Sequence, residues 1–206
     1  MKQEQDALVE SDADYYQKVV REGLSLSGYE LDHFFVNLGN LRFKDLSFAS
    51  GLDSTLDGRA TGLGDFDQDG DVDVLQANTK DDRILYYRND TPTTHHYVWL
   101  RLRGAPPNTR AIGAVVKLRC GGKVSTQAVR CGSGFLAQST TDLVFGLGDA
   151  TAVDELSITW PGPPRATQSF PSPPMDALFV ITQGATSQQA QRLKPRNYNR
   201  SLMPQR

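Results

Sequence analysis

Cysteine is scarce in this chain: there are two, Cys120 and Cys131, in 206 residues. That excludes a disulfide-dense scaffold and a four-cysteine zinc site. Glutamate is nearly as rare, with 5 Glu against 19 Asp. Helix-rich chains favour Glu, so the skew places the carboxylates in turns and loops. No run of 18 apolar residues occurs, and no membrane span is expected. The opening stretch MKQEQDALVESDADYYQ lacks a basic start followed by an apolar block, so no signal peptide is read there. A Gly-x-Ser-x-Gly elbow, a P-loop and a dinucleotide fingerprint are all missing. With no catalytic constellation in view, the expectation is a protein that is not an enzyme.

What is present is uneven. Residues 1–90 carry 19 acidic and 9 basic side chains, and residues 91–206 carry 5 and 13. The chain therefore has two electrostatically different halves, of net charge −10 and +8. A pI near 5.9 argues against a dedicated nucleic-acid binder. At 22.7 kDa the chain is long enough for one large domain or two small ones.

Residues 1–24 read as a short N-terminal helix. Leu8, Val9, Tyr15, Tyr16, Val19 and Val20 recur at helical spacing, and Gly23 is placed to stop it. Residues 25–92 change to short alternating runs. HFFVNL (33–38) and LRFKDL (41–46) flank Gly39-Asn40 as a hairpin, and VDVLQAN (72–78) and RILYYRN (83–89) flank a polar loop. Together they predict one antiparallel four-strand unit.

Residues 93–184 predict a sandwich- or barrel-like domain with strands at 96–103, 111–119, 123–130, 142–147, 154–160 and 177–183. PGPPRATQSFPSPP (161–174) reads as a proline-rich connection. Residues 185–206 are polar, with five bases and no acid, and read as a basic tail without fixed structure until it binds something. The Gly-rich stretches GLGD (62–65 and 146–149) and CGSG (131–134) read as turns. The fold class is thus mainly β.

One segment stands out for chemistry: Asp65-Phe66-Asp67-Gln68-Asp69-Gly70-Asp71-Val72-Asp73. Carboxylates fall at positions 1, 3, 5, 7 and 9, with glycine at 6. Each close pair of like charges costs roughly 1 kcal/mol at about 4 Å even in water, so a fold keeps such a cluster when a cation neutralises it. Hard oxygen ligands at alternate positions around a glycine-enabled turn suit Ca²⁺ better than Mg²⁺. Asp65, Asp67 and Asp69 are expected to give side-chain oxygens, Asp71 its backbone carbonyl, and Asp73 to close the site.

An EF-hand needs Glu at position 12 and flanking helices. Here position 12 is Gln76 and the flank alternates like a strand. The competing reading of the segment is a solvated acidic turn. His95-His96 lack a third ligand at zinc spacing and read as a strand-edge pair. A Cys120–Cys131 bridge is disfavoured, because a hairpin about Gly121-Gly122 separates the two by more than about 20 Å of strand rise.

Two sets of residues resemble known families. FFVNLGNLRFKDLSFASGLD followed by GDFDQDGDVDVLQAN resembles the FG-GAP/VCBS repeat, whose β-propeller blades carry a D-x-D-x-D-G-x-x-D calcium loop. WLRLRG, AIGAVVKLRCGG, SGFLAQST, LVFGLGDA and VDELSITWPG resemble, in order, the blocks of the ASPIC/UnbV domain found with such repeats in extracellular proteins of the cartilage acidic protein-like family.

The resemblance implies Ca²⁺ on Asp65, Asp67, Asp69, Asp71 and Asp73, a propeller-blade-like unit, and a β-sandwich-like C-terminal domain. It also implies an extracellular, cell-surface or periplasmic binding, adhesive or structural role. Two alternatives stay open. One is an assembly subunit of a filament, matrix or larger propeller, joined to a protein partner or a second copy through exposed sheet edges. The other is a calcium-dependent glycan-binding domain, with Tyr86, Tyr87, Tyr97 and Trp99 as candidate platforms.

Overall fold

The computed structural model describes residues 30–78, 84–170, 172–185 and 189–191, together with Gln17, Arg21 and Glu22. The expected helix of 1–24 lies outside the described residues apart from these three, of which Gln17 and Arg21 are helical. The chain is mainly β and divides into two units. The first is Met1–Thr61 with Leu75–Tyr87, and the second is Gly62–Val74 with Arg88–Arg206.

In the first unit, β1 (Phe35–Asn37) and β2 (Phe43–Asp45) form the expected hairpin, with Asn37 opposite Phe43. Gly39, Asn40 and Leu41 all take positive φ in its turn, and the Arg42 N–H donates to the Gly39 carbonyl at 3.0 Å. A single turn of helix, α1 (Ser47–Ser50), follows. The four strands expected of this half do not form one sheet. Among the described residues β1 and β2 pair only with each other, whereas β4 (Asp73–Asn78) and β5 (Ile84–Tyr87) join β3 (Gly58–Gly64) in the order β3-β4-β5.

β3, GRATGLG, runs into the stretch GLGD (62–65) that reads as a turn. Its glycines are what misled the reading, and at Gly58 the missing side chain has a use: a Cβ there would collide with the Gln76 amide, which donates to Asp32 at 2.7 Å. Among the described residues of this unit, every buried one is polar: Ser47, Asp57, Gln76 and Asn78.

The second unit holds the hydrophobic core. One sheet has the order β11-β10-β7-β8, built from Thr167–Phe170, Glu155–Thr159, Val115–Cys120 and Lys123–Ala128. The other has the order β13-β12-β6-β9, built from Gln189–Gln191, Leu178–Thr182, His96–Arg103 and Leu143–Gly148. Apolar residues of both sheets meet in one cluster, including Leu100, Phe145 and Phe179 from one and Val116, Leu156 and Ile158 from the other. This is the sandwich arrangement, with alternate residues facing in.

On β6, Val98, Leu100 and Leu102 face the core, and Arg101 and Arg103 face outward. The hairpin β7–β8 turns at Gly121 and Gly122, with φ of 55° and 76°. A two-residue type I′ turn needs positive φ at both positions. Cys120 and Cys131 are both free thiols.

One pairing was left open by the sequence, and two features differ from what it predicted. β6 and β12 pair in parallel, with Trp99 opposite Leu178. β11 sits inside the stretch read as a proline-rich connection. Its four residues, TQSF, contain no proline and form an edge, where neighbouring prolines remove no ladder bonds. The start of the tail also departs from expectation, because Gln189–Gln191 pairs with β12.

Candidate metal centre

The acidic loop leaves β3 and enters β4 within the second unit. It brings three of the five aspartates together. Asp65, Asp67 and Asp73 place carboxylate oxygens within 4.8 Å of one another. Asp67 is 5% and Asp73 0% exposed, so two of the three charges have lost most of their water.

Backbone amides set the carboxylates in place. Asp73 accepts the Phe66 N–H at 2.9 Å on one oxygen and the Asn89 N–H at 2.9 Å on the other. Asp65 accepts the Asp69 and Gly70 N–H groups, each at 3.2 Å. Asp67 accepts the Asp69 N–H at 3.3 Å. Asp69 uses one oxygen to accept the Asp71 N–H at 3.0 Å, and its side chain stays exposed. Asp71 is half-buried. The nearest base to the cluster among the described ion pairs is Arg88, whose Nε lies 3.9 Å from Asp67 and whose terminal nitrogen holds Asp90 at 2.7 Å.

Burial is the main influence on these acids. It pushes the Asp65 carboxyl up to about 6, against the backbone N–H groups of Gln68 and Gly70, and the Asp69 and Asp67 charges push the same way. Burial also raises Asp67 and Asp71, in each case with the negative charges of Asp69 and Asp73 adding to it. A folded-state value above the unfolded one means the folded loop holds its proton longer. Without an ion, the contribution of these carboxyls to stability is therefore present below the ordinary carboxylate range and is lost as pH rises from about 4 to about 6. Thermal melts in chelator across that window check the sign.

Gly70 has a φ of 107° and packs against Tyr97 of β6. A Cβ there would strike the Tyr97 hydroxyl and come within 2.8 Å of Cζ. Gly70→Ala is expected to destabilise the second unit by roughly 1–3 kcal/mol, through backbone strain and this clash. Tyr97→Phe in the same chain removes the nearest atom but not the ring, so a melting curve should recover only in part.

The remaining candidates separate. His96 Nδ1 pairs with Asp176 at 2.8 Å and His95 Nε2 with Asp149 at 3.5 Å, so the two rings serve different carboxylates. Trp99 is 3% exposed but lies outside the core cluster, on the opposite face of β6 from Val98 and Leu100. Its indole Nε1 donates to Asp142 at 3.3 Å, and Asp142 also receives Arg101 through two nitrogens, at 2.9 and 2.7 Å.

An open cavity of about 590 Å³ lies over this outer face, between the acidic loop and residues 138–142. No motif pointed to chemistry at residues 138–142, which reach the cavity through a tie to β3: Ser139 Oγ accepts the Leu63 N–H at 3.1 Å, and the Thr140 N–H donates to the Leu63 carbonyl at 2.9 Å.

Residues 104–188 match the family model for the ASPIC and UnbV domain. The matched segment contains β7 to β12, so the larger part of the sandwich is similar to that domain. No curated protein matches the chain.

Proposed function

We propose that this chain is a non-enzymatic, calcium-binding module of an extracellular, cell-surface or periplasmic protein. In this reading an FG-GAP/VCBS-like calcium loop adjoins the ASPIC/UnbV-like sandwich, and Ca²⁺ rigidifies residues 65–73 for a binding, adhesive or structural role. The observation that carries it is the convergence of Asp65, Asp67 and Asp73 within 4.8 Å, two of them buried. Three carboxylates so placed repel one another strongly, and partial burial amplifies the repulsion. The donors are all hard oxygens, Asp69 and Asp71 lie in the same turn, and Ca²⁺ takes six to eight such ligands in flexible geometry. Bound there, the ion supplies charge neutralisation and a cross-link between the ends of the loop. Sites of extracellular modules fill at about 10⁻⁴–10⁻³ M, concentrations found outside cells and not in cytosol.

Calorimetric titration of CaCl₂ into chelator-treated protein tests this. One site in that affinity range is expected, and no heat at 10 mM overturns it. Because Asp65 titrates at about 6, protons compete with the ion. Affinity should weaken as pH falls below 6, by up to about tenfold per pH unit for each proton displaced.

Self-association is the second reading, and one observation favours it. The first unit buries no apolar residue among those described, while Leu41, Phe48 and Ile84 are 96%, 90% and 70% exposed. Where exposed apolar residues form one contiguous patch, they mark an interface. Light scattering should show dimers or larger species at micromolar concentration, and a strict monomer rules this reading out.

A further inference from the structure

The cavity on the outer face of the second sheet is lined largely by polar side chains. Its volume of about 590 Å³ falls within the range of small-molecule sites. Trp99 and Leu178, opposite one another on β6 and β12, line it from the sheet. Its walls carry the amides of Gln68 and Gln138 and the hydroxyl of Thr141. Groups of this type both donate and accept, which is what a sugar hydroxyl also does.

The charged groups fit the same ligand. Asp142 holds Arg101 in a forked pair, and Asp65 and Arg110 also line the cavity, so its walls carry two carboxylates against two guanidiniums. Walls without net positive charge disfavour a phosphate ligand. The wall is too polar for a lipid or an aromatic drug-like molecule, whose pockets are mainly apolar. Gln68 takes a φ of 63°, an unusual conformation for a residue with a side chain, and it lies on the cavity wall at the start of the loop's turn.

We propose that this cavity is a carbohydrate-binding site that takes a short oligosaccharide. The assignment is separate from the ion reading, since the walls formed by residues 138–142 and β6 contain none of the aspartates of the loop. Asp65 alone belongs to both the cavity and the carboxylate cluster.

The test is a glycan array of neutral, uronic-acid-containing and sialylated oligosaccharides, probed with the full chain in calcium and again in EGTA. Calorimetry then uses the oligosaccharide that gives the strongest signal. Binding is expected to at least one class, and Gln138→Ala with Thr141→Ala should weaken it tenfold or more while the melting temperature stays unchanged. A blank array in both buffers overturns the proposal. So does binding that the double variant leaves intact, because the sugar then sits elsewhere. Calcium titration without sugar reports on the ion reading by itself, so binding in EGTA by a protein that takes up no calcium upholds the cavity and sinks the ion.

Discussion

Calcium at 10 mM is expected to raise the melting temperature of the second unit by about 3–10 °C. A ligand that binds only the folded state stabilises it by RT ln(1 + [L]/Kd), which is about 1.4 kcal/mol at ten times Kd and about 2.7 kcal/mol at a hundred times. For chains of 150–250 residues each kcal/mol moves the midpoint by roughly 2–4 °C. The ion acts where the fold is under electrostatic load, among Asp65, Asp67 and Asp73.

Asp67→Asn is the informative variant. Its amide oxygen still accepts the Asp69 N–H, so the turn keeps that bond, but one of three converging charges is gone. The calcium-induced shift should fall below about 1 °C, and Mg²⁺ should give a smaller shift than Ca²⁺ in the parent chain. A melting curve that ignores both calcium and EGTA ends the metal reading.

Phe179→Ala should have the largest effect on stability of any single truncation considered. Phe179 is 1% exposed on β12, directly opposite Leu100 of β6, within the cluster that joins the two sheets. Removing a buried phenyl ring costs about 3–5 kcal/mol, through lost transfer energy and the cavity left behind. The midpoint should drop by roughly 6–20 °C in a thermal melt followed by circular dichroism. Leu41→Ala, at a 96% exposed position, is the control and should stay within about 0.5 kcal/mol of the parent. Equal effects from the two would contradict the described core.

Period-2 patterning made most of the sandwich legible. The run 96–103 is β6 residue for residue, and 123–130, 142–147, 154–160 and 177–183 each fall within a few residues of a strand. The Gly121-Gly122 turn was legible because two consecutive glycines supply the positive φ values its geometry needs. β3 was hidden because three glycines in seven residues carry no β preference, and β11 because its neighbours are prolines. The parallel pairing of β6 with β12 joins segments some 80 residues apart, and nothing local encodes it.

In the loop, alternation pointed to all five aspartates, whereas the side chains of Asp65, Asp67 and Asp73 are the ones that converge. Which oxygens meet depends on the amides of Phe66 and Asn89 that clamp Asp73, and the second of these comes from the far end of β5. The cavity was not legible either. Trp99 is one of four strand aromatics offered as candidate platforms, and its register is what shows that it faces away from the core.

Among its described residues the first unit buries only polar side chains, which implies an uneven lifetime under digestion. A hydrophobic anchor is what makes local opening rare, and Ser47, Asp57, Gln76 and Asn78 provide none. Brief trypsin treatment of the native chain should nick early at Arg42, Lys44 and Arg59. Lys117, inside a paired central strand of the sandwich, should outlast them by orders of magnitude in time.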